Sequence, residues 1–277
     1  MRAGFVRGLG LASVVVVATA CHRGSPPRSG SDDPQDGAVV HFTVDSALVG
    51  RRLEQAAIRL PPLRHGRRPL LVLLHGRGGA PDAWISEVLL AALRDAGAAA
   101  PDVVMVNGGE ASYYHDRVDG EWGSYVVQEV IPQAVRILGA DPHRVAIGGS
   151  SMGGFGALDI ARLHPGRFCA VGGHAPAIFD SAGRTSEGSF DDAEDFARHD
   201  LVSWARTEAH PYPGAEVWID VGTEDPFHDA AVEVARDLER HGADVTLKVL
   251  GGGHGGGYIT EHLATYVSFY AKALRRC

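Results

Sequence analysis

Beyond residue 38 the chain carries a series of short apolar runs: Leu70–Leu74, Val103–Val106, Val145–Ile147, Val217–Ile219 and Val245–Val249. The first four are almost unbroken, which predicts strands covered on both faces. Val39–Val44 and Leu53–Leu60 predict leading antiparallel strands. Between the runs, apolar positions recur at spacings of three and four. These predict helices over 83–96, 125–138, 152–163, 229–241 and 259–274; the last carries Ile259, Leu263, Tyr266, Val267 and Tyr270 on one stripe. Strand and helix patterns that alternate in this way predict an α/β fold with a largely parallel sheet and helices on both faces. Residues 173–213 interrupt the alternation with Ser, Asp, Glu, Gly and His. That stretch is too long for an ordinary connection, and it is expected to form a small lid. No internal repeat is visible.

The N-terminus reads as an address, not as part of the fold. Arg2 and Arg7 precede an apolar stretch from Leu9 to Ala18, too short for an ordinary membrane span. Ala18-Thr19-Ala20 supplies the small residues of a cleavage site, so residues 1–20 are expected to be an export signal. Cys21 follows at once, as in a bacterial lipobox, although Ala18 stands where that pattern usually has Leu. Cys21 is therefore expected to be lipidated, and residues 21–37, rich in Ser, Pro, Gly, Arg and Asp, to tether it to a domain spanning 38–277. The expected location is the cell envelope or the exterior.

Composition narrows the function by exclusion. Of 277 residues, 45% are hydrophobic and 22% charged, which suits a globular domain. The formal charge of −8 disfavours nucleic acid as a partner. Three cysteines, Cys21, Cys169 and Cys277, are too few and too scattered for a zinc cluster or a disulfide scaffold. Cys169 reads as a buried thiol; an oxidising exterior would permit a disulfide to Cys277.

The most informative stretch runs from Val145 to Gly156. A predicted strand enters Gly149-Ser150-Ser151-Met152-Gly153 and continues directly into a predicted helix. This is the G-x-S-x-G elbow, in which crowding two residues either side of the serine demands glycine. Centring on Ser151 meets that demand, whereas centring on Ser150 would place Met152 where glycine is needed. Such a nucleophile requires a histidine and an acid later in the chain. His254 lies among six glycines, 251–253 and 255–257, between the last predicted strand and the last helix. The same loop spells G-x-G-x-x-G, but no second strand follows, so a dinucleotide site is not expected. Asp225 is the favoured acid, with Glu224 beside it as the alternative. The oxyanion would be met by the amides of Met152 and of Arg77, in the loop after Leu74. His75 is expected to be structural. Tyr113, Tyr114 and Trp122 are candidates to line a substrate pocket, or else core aromatics.

With these residues assembled the chain resembles the α/β-hydrolases. More narrowly, it is similar to the esterase family that includes formylglutathione hydrolases, feruloyl esterases and mycobacterial mycolyltransferases. The resemblance rests on Leu73-Leu74-His75-Gly76, the Ser124–Pro132 and Gly149–Leu158 segments, His164–Phe168 and Gly253-His254. It implies an α/β-hydrolase fold and acyl transfer from an ester to water or to another hydroxyl, with no cofactor and no metal in the reaction. The expected substrate is a small or polysaccharide-linked ester, and the membrane is a partner only through the lipid anchor. An acyltransferase acting on envelope sugar or lipid hydroxyls, or a binding protein that has lost catalysis, are the competing readings.

Overall fold

The computed structural model describes residues 37–277. The expected export signal, Cys21 and the tether up to residue 36 lie outside the described residues. Among the described residues, eight strands form one sheet in the order β1-β2-β4-β3-β7-β8-β9-β10. They are β1 (Ala38–Ser46), β2 (Arg51–Arg59), β3 (Leu70–Leu74), β4 (Asp102–Val106), β7 (Val145–Ser150), β8 (Ala170–His174), β9 (Glu216–Gly222) and β10 (Asp244–Leu250). A two-residue hairpin, β5 (Asp116–Arg117) and β6 (Gly120–Glu121), stands apart. β1 pairs antiparallel with β2, and β2 with β4; every other neighbouring pair in the large sheet is parallel.

The predicted runs all became strands, and those at the centre of the sheet, β3, β4, β7 and β9, alternate between two apolar layers. Leu70, Val72 and Leu74 of β3 enter one core cluster, and Leu71 and Leu73 the other. The first layer is covered by α2 (Trp122–Tyr125), α3 (Ile131–Leu138), α4 (Met152–Leu163) and α7 (His228–Arg240). A π turn over Val126–Val130 joins α2 to α3. The second layer is covered by α1 (Glu87–Ala96) and α8 (Gly256–Arg276). Among the described residues no helix is long and apolar enough to cross a membrane.

Two expectations require correction. Cys169 is not a free thiol: it forms a disulfide with Cys277, which ties the entry to β8 to the end of α8. The expected lid over 173–213 begins inside β8, then carries α5 (Ala193–Arg198) and α6 (Leu201–Thr207). Phe179, Phe190 and Phe196 anchor this excursion against the core. Of its residues beyond β8, only Ala175 lines the cleft at the elbow. It packs beside the site and does not cover it.

Candidate active site

Chain order within the sheet selects the place where a site can form. β3 leads to β4 on one side, and the chain then crosses to β7 on the other side of β3. Helices on either side of such a switch diverge, and a crevice opens at the carboxyl ends of the two strands. The loops leaving β3 and β7 carry His75-Gly76-Arg77 and Ser150-Ser151, and both line a cleft of about 430 Å³.

The elbow at Ser151 is built as its glycines require. Ser151 has φ 54°, in the left-handed region. A Cβ on Gly153 would lie 2.2 Å from the Leu74 carbonyl oxygen, and one on Gly149 would lie 2.5 Å from the Gly153 backbone. The Ser151 amide donates to the His174 carbonyl at 3.0 Å, and its own carbonyl accepts from Phe155 and Ala177.

Ser151 Oγ lies 2.7 Å from His254 Nε2, and His254 Nδ1 lies 2.8 Å from Asp225 Oδ2. The other Asp225 oxygen accepts the Phe227 amide at 2.8 Å, and the carboxylate is fully buried. Two backbone bonds bring the acid and histidine loops together: Thr223 N–H to Leu250 O and Glu224 N–H to Gly252 O. Glu224, the alternative acid, contributes that amide while its residue remains exposed. The Phe227 ring meets the His254 imidazole edge-on, with centroids 5.1 Å apart.

Arg77 lines the same cleft, and Met152 opens α4, where first-turn amides have no partner within the helix. His75 is held in place: its Nδ1–H donates to Gly76 O at 2.8 Å and its Nε2 accepts the Gly108 amide at 3.2 Å. Burial pushes its pKa below the ordinary imidazole value, although the Gly76 carbonyl opposes this.

Tyr113, Tyr114 and Trp122 are corrected from pocket candidates to core residues. They are at most 2% exposed and do not line the cleft. Tyr113 and Tyr114 both adopt positive φ, a turn that directs them inward, and the Tyr114 hydroxyl accepts the His75 amide. The apolar walls are instead Trp84 and Ile259. Ile259 was legible only as part of a helix stripe, and Trp84 as the start of a helix; neither carried a signal for a pocket.

The family model described as "Putative esterase" matches residues 47–250. The chain belongs to this family. The esterase is 32% identical over 201 residues to the S-formylglutathione hydrolase of Paracoccus denitrificans, a match covering 62% of this chain and 70% of that one. In fold it is similar to a ferulic acid esterase, with TM-score 0.74 and 20% identity over 86% of this chain and 98% of that one. An S-formylglutathione hydrolase from Agrobacterium tumefaciens gives TM-score 0.71 and 21% identity, covering 87% and 96%. The esterase therefore has the α/β-hydrolase architecture.

Proposed function

We propose that this esterase is a serine carboxylic-ester hydrolase in which Ser151 forms the acyl-enzyme, His254 moves the proton and Asp225 orients the imidazole. The observation that carries this reading is the unbroken row from Ser151 Oγ through His254 to Asp225, at 2.7 and 2.8 Å. Asp225 accepts Nδ1–H, which leaves the Nε2 lone pair facing the serine hydroxyl. Ser151 Oγ attacks the carbonyl carbon as its proton passes to Nε2. The amides of Arg77 and Met152 receive the oxyanion, a stabilisation on the order of 10²–10³-fold per donor. Collapse expels the alcohol, which takes the proton from His254. Water then gives a proton to His254, attacks the acyl carbon and releases the acid as the proton returns to Ser151.

The cleft between Trp84 and Ile259 suits a short acyl group. Hydrolysis of nitrophenyl esters from acetate to palmitate should peak at short chains. Ser151→Ala should lose activity by at least about 10⁴-fold, and Asp225→Asn by on the order of 10³–10⁴-fold. Glu224→Gln should stay within about twofold of wild type; the reverse ranking would reassign the acid. A fluorophosphonate that labels Ser151 rules out a catalytically dead relic, and acyl transfer to an added sugar at the expense of acid release would establish a transferase instead.

Export on a lipidated Cys21 belongs to the same proposal. The Cys169–Cys277 disulfide supports it, because such bonds persist in oxidising compartments. The full chain expressed in a bacterial host should sediment with membranes, and Cys21→Ser should release it; equal sedimentation of both would refute the anchor.

A further inference from the structure

A second cluster of chemistry-bearing side chains lies away from the cleft, where the 175–213 excursion meets the elbow helix. Asp195, in the first turn of α5, and His199, just past its last residue, stand one turn apart, the i, i+4 spacing that sets two ligands on one helix face. His115, from the segment before β5, meets them from the other side. His115 Nε2 is 3.0 Å from Asp195 Oδ2, and His199 Nε2 is 3.8 Å from Asp195 Oδ1. One donor atom from each residue fits within a 4.8 Å span, and all three residues are buried.

An ion-pair network alone leaves a long gap beside Asp195 and one imidazole nitrogen without a partner. His199 Nδ1 lies 2.8 Å from Asp159 Oδ2, and its Nε2 faces Asp195 Oδ1 at 3.8 Å, too long for a hydrogen bond. His115 Nδ1 is buried without a partner. An imidazole whose far nitrogen is held by a carboxylate while its near nitrogen faces a second carboxylate is the arrangement that supports metal ligation. Zinc bonds of about 2.0–2.1 Å at tetrahedral angles separate neighbouring donors by roughly 3.3 Å, inside the range found here.

We propose that His115, Asp195 and His199 form a structural zinc site that fastens the excursion to α4. Two imidazole nitrogens and one oxygen of Asp195 supply three donors at tetrahedral spacing, and a water or hydroxide would fill the fourth position. The outer partners are present: Asp159 holds His199, and the Asp191 amide and Arg198 hold Asp195. Arg198 donates to Oδ1 at 3.1 Å, which leaves Oδ2, 3.0 Å from His115 Nε2, to the cation. Phe190 stacks on His115, with ring centroids 4.9 Å apart, and holds that imidazole in place. Asp159 lies eight residues beyond Ser151, roughly 12 Å along the helix at 1.5 Å per residue, so the site is distinct from the cleft. The reaction needs nothing from it.

The test uses the full chain, stripped with a chelator and then incubated with zinc and desalted. Wild type and Ser151→Ala should each retain one zinc per chain by elemental analysis, and their Tm should rise with zinc concentration. His115→Ala and His199→Ala should each lose the metal and the Tm rise. X-ray absorption at the zinc edge of the wild-type protein should show two imidazoles and carboxylate oxygen, a readout independent of whether the variants fold. Wild type that retains no zinc and shows no Tm shift overturns the proposal. So does zinc retained undiminished in both histidine variants, or an edge spectrum without two imidazoles.

Discussion

Ser151 stands at φ 54° and ψ −116°, a conformation that costs a non-glycine residue on the order of 1–3 kcal/mol. It persists because hydrogen bonds to His174, Phe155 and Ala177 determine both sides of the peptide. The strain lifts the hydroxyl clear of the sheet towards His254. His75, one strand over, is set by opposite means: burial keeps its imidazole neutral, with Nε2 accepting an amide. Its folded pKa lies below the unfolded value of about 6.5. The unfolded chain therefore binds a proton that the native state refuses, and stability present above pH 6.5 falls as pH drops through that value towards the folded pKa. Tm measured from pH 7.5 to 5 should decline for wild type, and the decline should be shallower in His75→Gln. Equal slopes would show that His75 carries none of this dependence.

At the scale of elements, the support behind the serine is a buried polar knot joining β8, β9 and α8. His174 Nδ1 donates to Asp220 at 2.7 Å, and its Nε2 accepts from the Tyr270 hydroxyl at 2.8 Å. Trp218 and Tyr266 also donate to Asp220. Burial raises the Asp220 pKa, but the bonds from His174 and Tyr266 outweigh it and hold the carboxyl below its usual range. A Cβ on Gly148 or Gly172 would fall within 1.8 Å of the Tyr270 hydroxyl, so both strands carry glycine where that group enters. Asp220→Ala strands three donors and should cost about 3–5 kcal/mol, on the order of 10 °C in Tm for a domain of this size. Tyr270→Phe should cost about 1 kcal/mol. A loss below about 1 kcal/mol in Asp220→Ala would mean the knot adds little. The same glycines explain why β8 was missed in the sequence: Gly172-Gly173 dilutes its apolar run, whereas Leu70–Leu74 announces β3 without interruption. Asp220 directly follows the Val217–Ile219 run with Trp218 two positions before it, but nothing local announced His174 and Tyr266, each 46 positions away along the chain.

For the whole molecule, what was legible follows from range. The elbow, the parallel strands and the helices that cover them are local patterns, and the triad candidates follow from the chain order that the elbow imposes. The excursion was misread because its polar composition masks three anchoring phenylalanines: Phe179 and Phe190 pack on Tyr113, Phe190 also on Phe155, and Phe196 on Phe190. Its placement beside the cleft has a kinetic consequence. His254 keeps 25% of its side chain exposed, and the excursion does not cover the cleft. Enzymes with a closing element gate turnover on its movement, and those opened by an oil–water surface gain rate when their substrate forms droplets. Here the rate should rise with dissolved ester and level off by ordinary saturation, with no upward break where a longer-chain ester exceeds its solubility. Such a break would show that a segment of the chain moves over the cleft after all. Without one, the enzyme is confined to esters that reach it singly from solution or project singly from a larger body.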